Sequence, residues 1–232
     1  MKLLEGKVTV ITGAKGGLGS SVTEAFLAAG ARVIGVSRSI RQSDFAHPEF
    51  LAMPAELSTG DAARQLAADV IARFGRIDAL VHVMGGFAGG QSIADTDDAT
   101  FEQMLDLNYR AAFYVARAAI PQMREQGSGR ILAVASRQGV EPSAMVGAYS
   151  ASKAALVALI RVIALENKDR GISANTVLPG TMDTPGNRAA MPGADASKWV
   201  RPEQVAALLV HLASDAAAQI TGAAIPVYGA QV

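Results

Sequence analysis

Short apolar runs alternate along this chain with longer segments whose apolar residues recur at helical intervals. Val8-Thr9-Val10-Ile11 is the first run, compact and β-branched, ending at Thr12-Gly13. Ser20 to Ala29 has helical composition and stops at Gly30, a natural helix terminator. Arg32 to Val36 predicts a second strand, Glu49 to Met53 a weaker third, and Asp61 to Phe74 a helix closed by Gly75. Asp78 to Val83 predicts a strand that runs into Gly85-Gly86. A long helix is expected over Ala99 to Glu125, then a strand over Arg130 to Ala135. The helix beginning at Tyr149 carries its apolar pattern in Leu156, Val157, Leu159, Ile160 and Ile163. Ile172 to Leu178 reads as a strand, Pro202 opens a helix through Leu212 where proline is tolerated, and Ala224 to Val227 makes a last short strand.

Strands alternating with helices of this length imply βαβ units and a parallel sheet. The strand runs are nearly continuously apolar, as for strands buried on both faces. No linker, low-complexity tract or repeat divides residues 1–232, so one domain is expected. Pro179 to Arg201 is the longest stretch without periodicity, and a loop of that length in a compact domain is usually functional.

Composition narrows the function classes. The 232 residues are 50% hydrophobic and 18% charged, a globular composition. Lys+Arg and Asp+Glu are both 21, and that balance argues against a general electrostatic grip on nucleic acid or anionic membrane. There is no cysteine, which excludes disulfides, thiolate catalysis and cysteine metal sites. His47 and His211 are isolated, His82 reads as a packed strand histidine, and no metal-ligand spacing is present, so no metal is expected. Charges flank the short apolar pair in Met1-Lys2-Leu3-Leu4-Glu5, and Val8 to Ile11 is far too short for a signal core or a membrane span. A soluble cytoplasmic protein is the expectation.

Two local patterns carry chemistry. Thr12-Gly13-Ala14-Lys15-Gly16-Gly17-Leu18-Gly19 lies between the first strand and the first helix, where glycines let the backbone approach a pyrophosphate at a helix N-terminus. The turn has no Gly-Lys-Ser/Thr ending, which argues against a nucleoside-triphosphate loop. Tyr149 and Lys153 stand four apart on a predicted helix and so share a face, with Ser136 thirteen residues before the tyrosine. A cation near the phenol lowers its pKa from about 10, making it a usable proton donor or acceptor near neutral pH.

Taken together, Thr-Gly-x-x-x-Gly-x-Gly, that serine and Tyr-x-x-x-Lys resemble the short-chain dehydrogenase/reductase family over essentially the whole chain. Asn108 matches the family's helix asparagine, and Pro179-Gly180 followed by Thr184 matches its nicotinamide-contacting segment. The resemblance implies a Rossmann-type doubly wound sheet of about seven parallel strands with helices on both faces. Two segments depart: the family's Asn-Asn-Ala-Gly is His82-Val83-Met84-Gly85 here, and its closing Asp-Gly-Gly is Tyr228-Gly229-Ala230. Met84 to Gly90, together with Asp183 to Arg188, Met191-Pro192, Ala194-Asp195 and Trp199, are similar to dihydropteridine reductase segments. This chain nevertheless retains the serine and asparagine that such enzymes lack.

The resemblance implies hydride transfer between a nicotinamide cofactor and a carbonyl or alcohol. In that pattern Tyr149 gives the proton and Ser136 hydrogen-bonds the carbonyl oxygen. Lys153 holds the nicotinamide ribose and depresses the tyrosine pKa, while Asn108 fixes a water linking Lys153 to solvent. The implied cofactor contacts are Gly13, Lys15, Gly17, Leu18, Gly19, Ser37, Arg38, Glu56, Leu57, Met84, Gly85, Tyr149, Lys153, Pro179, Gly180 and Thr184. Ser37 stands where NAD-preferring members carry an acidic residue, and Arg38 follows it, which favours the 2′-phosphate of NADPH over NADH.

Phe87, Gln138, Met145, Met191 and Trp199 are the expected substrate contacts. Pterin reduction is one alternative, and a catalytically silent dinucleotide sensor is another. The faces of the helices from Ala99 and Tyr149 imply, by family analogy, a homodimer or homotetramer.

Overall fold

The computed structural model describes residues 2–230; Met1, Gln231 and Val232 lie outside the described residues, although the single-domain expectation spans them. Seven strands form one parallel sheet: β1 (Val8–Thr12), β2 (Arg32–Ser37), β3 (Phe50–Pro54), β4 (Ala79–His82), β5 (Gly129–Val134), β6 (Ile172–Pro179) and β7 (Ala224–Val227). Their order across the sheet is β3-β2-β1-β4-β5-β6-β7, and every neighbouring pair is parallel. The chain therefore winds outward from β1 in one direction, returns to β4 on its other side, and winds outward again. The crevice at that reversal, beyond the C-terminal ends of β1 and β4, is where open α/β sheets bind ligands.

The helices are α1 (Gly17–Ala28), α2 (Gly60–Phe74), α3 (Asp98–Leu105), α4 (Ala111–Gln126), α5 (Gly147–Asn167), α6 (Pro185–Ala190) and α7 (Pro202–Ala213). Alternate residues of each strand face opposite helical layers. Val8, Val10, Ile34, Leu80, Ile131 and Ala133 pack under α2, α4 and α5. Ile11, Val33, Val81, Leu132 and Val177 pack with Phe26 of α1 and Leu209 of α7 on the other face. Phe26 is fully buried, and burial of one such side chain contributes about 2–3 kcal/mol. Gly75 ends α2 in the left-handed region at φ +72, which any side chain would strain.

Two elements differ from the sequence expectation. The single helix expected over Ala99 to Glu125 is interrupted by a π turn at Asp106–Arg110, which shifts the helical phase by one residue. Asn108 thereby turns inward while Arg110 stays outside, paired with Asp106 at 2.5 Å and Glu102 at 2.6 Å. The aperiodic stretch 179–201 contains α6 and a single turn, Ala196–Lys198. Thr184 caps α6 by accepting from the Asn187 amide at 3.2 Å, with Pro185 in its first turn. That helix is short and polar, so no apolar period announces it.

By length and composition α5 is apolar enough to cross a membrane. It lies on the sheet, with Leu156, Ile160, Ile163 and Ala164 buried against it.

Candidate active site

The glycine turn leaves β1 and opens α1 with no side-chain cap at Gly16 and no acidic residue in the first turn. The helix thus presents uncommitted amide groups and the positive end of its dipole. A Cβ on Gly19 would fall 1.9 Å from the Gly13 carbonyl oxygen, and one on Gly13 would fall 2.7 Å from the Met84 amide nitrogen. Only glycine permits these approaches. A Cβ on Gly17 would sit 3.2 Å from the Thr184 side chain, so α1 and the 179–201 segment share one cradle. Gly180 is held to β7 by donation of its amide to Val227 at 3.0 Å. The chemistry of an uncapped, side-chain-free helix N-terminus fits a dinucleotide pyrophosphate.

At the end of β2 the Ser37 hydroxyl is buried without a protein partner, and Arg38 projects outward with its side chain 78% exposed. Glu56 lies 3.8 Å from that guanidinium, and Leu57 is buried behind it. Lys15 does not reach toward Arg38's side freely: it pairs with Asp44 at 2.9 Å and donates to the Ser39 carbonyl at 3.3 Å. Lys15 in turn holds the Asp44 carboxyl below its ordinary range.

Tyr149 and Lys153 lie one turn apart near the start of α5. Lys153 is 5% exposed, and its ammonium donates to the Val134 carbonyl at 2.9 Å. Burial pushes its pKa down to about 8. The ammonium is 6.0 Å from the Tyr149 ring centre. Burial raises the Tyr149 phenol, and the hydrogen bond from the Ser136 side pulls it the other way. The expectation that Lys153 depresses the Tyr149 pKa is therefore corrected for this arrangement. Burial is the larger influence on the phenol, ahead of its hydrogen bond with Ser136.

Asn108 is fully buried on the π turn. Its Oδ1 accepts from the Gly86 amide at 3.0 Å, and its Nδ2 donates to the Gly86 carbonyl at 3.0 Å and to Ser152 Oγ at 3.1 Å. Ser152 in turn donates to the Tyr149 carbonyl at 2.7 Å. The asparagine side chain thus clamps the strand-end segment to α5. Ser152 was missed by that reading, since nothing marks a serine beside a lysine as a link. Gly85 completes the arrangement: a Cβ there would meet Asn108 Oδ1 at 2.7 Å and Lys153 Nζ at 3.1 Å.

Ser136 ends β5 and accepts from the Gln138 amide at 3.2 Å. The Gln138 side chain accepts from the Ser143 amide at 2.8 Å, bracing the loop that leads to Met145. Met145 is the one non-glycine residue at positive φ among the described residues, at +67. The Gly90 amide fixes it there by donating to its carbonyl at 2.7 Å. Phe87 packs edge-on against Tyr149, with ring centres 5.0 Å apart. The structure thus gathers Phe87, Gln138 and Met145 around Ser136 and Tyr149.

Met191 and Trp199 lie on the segment clipped at its base where the Asp183 amide donates to the Val200 carbonyl at 2.8 Å. Among the described residues no ring contact joins Trp199 to Phe87 or Tyr149.

Residues 7–194 match the short chain dehydrogenase family. A short-chain dehydrogenase/reductase of Talaromyces verruculosus is 30% identical over 98% of this chain and 97% of its own. A D-beta-hydroxybutyrate dehydrogenase of Rhizobium meliloti is 30% identical over 96% and 97%. Among solved structures, a short-chain dehydrogenase/reductase from Burkholderia xenovorans superimposes with a TM-score of 0.91 at 29% identity, covering 100% of this chain and 98% of that one. Sheet order, glycine turn and paired tyrosine and lysine agree with these likenesses: the chain belongs to the short-chain dehydrogenase/reductase family of oxidoreductases.

Proposed function

We propose that this protein is a single-domain NAD(P)H-dependent oxidoreductase that interconverts a carbonyl and an alcohol, with Tyr149 as general acid and base. The observation that carries this reading is the convergence of Ser136, Tyr149 and Lys153 at the end of β5 and the start of α5, beside the uncapped glycine turn. Gly13, Gly17, Leu18 and Gly19 would hold the pyrophosphate, and Met84, Gly85, Pro179, Gly180 and Thr184 would line the nicotinamide end. When bound, the nicotinamide supplies or accepts the hydride.

Ser136 and Tyr149 then act on the substrate oxygen. Ser136 orients it by hydrogen bonding, and Tyr149 donates the proton that neutralises the developing alkoxide. Lys153 contributes a buried positive charge next to the phenol and the ribose position. Its alignment depends on the Asn108–Ser152 clamp, which fixes the first turns of α5. In the oxidative direction the same groups act in reverse, with Tyr149 taking the alcohol proton.

Arg38 favours NADPH. It is exposed at the end of β2 beside a serine, whereas Lys15 is neutralised by Asp44. A planar guanidinium suits a 2′-phosphate. Cytoplasmic residence and assembly through exposed apolar residues of α4 and α5 accompany the proposal. A panel of ketones, aldehydes and a quinonoid dihydropterin, each assayed with NADPH and NADH, tests it. Consumption of nicotinamide with a carbonyl substrate and a higher kcat/KM for NADPH are expected. Turnover of the dihydropterin alone would replace the carbonyl assignment with pterin reduction. A preference for NADH would refute the Arg38 argument.

A further inference from the structure

His82 ends β4 in register with Thr12 of β1 and Ala133 of β5. It is 2% exposed, its Nδ1 lies 2.9 Å from Thr12 Oγ1, and its Nε2 is buried with no protein partner. His82 alternates with Val81 and so faces the layer of α4 and α5, on the side of Leu80. With Nδ1 turned sideways to β1, the shape of the ring directs Nε2 away from the strand and into that layer. Lys153 enters the same layer from α5 and donates to Val134, the residue after the Ala133 that pairs with His82. The ammonium is near enough that, after burial, its charge is the second reason the imidazole stays neutral, with a pKa pushed down to about 3.

A neutral imidazole has one N–H donor and one lone-pair acceptor, and its surroundings select the tautomer. With the proton on Nδ1, the ring donates to Thr12 and turns an electron pair toward the layer that holds the cation. With the proton on Nε2, it would point a positive N–H there. In a low-dielectric interior that difference is large.

We propose that His82 is a positioning residue for Lys153. It is held as the neutral Nδ1–H tautomer by Thr12, and its Nε2 lone pair supports the buried ammonium from beneath. The titratable neighbour on α5 is Tyr149, whose ring centre is 6.0 Å from the ammonium, while Thr12 of β1, Ala133 and Val134 of β5, and Asn108 of the π turn carry no charge.

The role of Lys153 in turnover rests on the oxidoreductase reading, but the coupling of the two side chains does not, so NMR tests it without a substrate. Long-range 1H–15N correlation should find wild-type His82 protonated on Nδ1; an Nε2–H tautomer would overturn the proposal. The Lys153 pKa, followed at its ε-carbon, should fall by about one unit in His82→Leu, a tenfold change in proton affinity. His82→Asn, whose amide oxygen is a replacement acceptor, should restore it. Equal lysine pKa values in wild type and His82→Leu would overturn the proposal. Should His82→Leu fail to fold, the wild-type tautomer decides it. The alkaline limb of kcat/KM should follow the lysine pKa across these variants. If the NMR coupling holds and that limb does not follow, the catalytic role of Lys153 fails while the pairing with His82 stands.

Discussion

Lys153 keeps a charge where burial opposes it, which couples function to a stability cost. Its folded pKa of about 8 lies below the unfolded lysine value of 10.5. The unfolded state therefore binds more protons between those values, and stability rises with pH across that window. Lys153→Met should gain on the order of 1–3 kcal/mol in urea unfolding at pH 7 while losing turnover. His82 has the same sign in a lower window, because its folded pKa is also depressed. Above its unfolded pKa of 6.5 both states are neutral and its contribution is complete; it is lost as pH falls toward about 3. Wild type should lose roughly 2–3 kcal/mol between pH 7 and 4.5 on this account, and His82→Asn should lose less.

Tyr149, Lys153, Ser136 and Asn108 were legible as candidates because their spacing is fixed along the chain. The lysine's attachment to Val134 was not legible. It depends on how far α5 sits above β5, a distance no local pattern encodes.

At the scale of elements, the glycine turn and the π turn set the site. Gly19→Ala would place a Cβ against the Gly13 carbonyl, so the turn must shift. It should cost about 1–3 kcal/mol and weaken dinucleotide binding at least tenfold, as read by calorimetric titration. Gly186→Ala, where a Cβ would meet nothing within 4 Å, is the control that should leave both unchanged. The seven strands were legible to within a residue or two at each end; the inner ones are buried on both faces and so nearly continuously apolar, and the partly exposed edges β3 and β7 are short apolar runs. The π turn escaped because one added residue alters phase without altering composition. The cap at Thr184-Pro185 was present as a signal for α6, but too little apolar sequence followed to support it.

At the scale of the molecule, parallel strands and one sheet follow from alternation, whereas the order of strands comes from where each crossover lands. That order places the C-terminal ends of β1 and β4 side by side and so creates the crevice where open α/β sheets bind ligands. Phe113 on α4 and Val162 and Leu165 on α5 remain exposed. Apolar residues on adjoining helices suit an interface between copies. Light scattering should give a dimer or tetramer for wild type, and a smaller species for the double variant Phe113→Glu with Leu165→Glu. A wild-type monomer at micromolar concentration would remove the assembly proposal.

The most direct measurement compares Tyr149→Phe with wild type in two ways on the same preparation: dinucleotide affinity by fluorescence titration, and NAD(P)H oxidation with the best carbonyl substrate. The account predicts affinity within about threefold of wild type and a turnover loss of 10²- to 10⁴-fold, the range a general acid contributes. Turnover within a few-fold of wild type would contradict it, because the proton would then have another source.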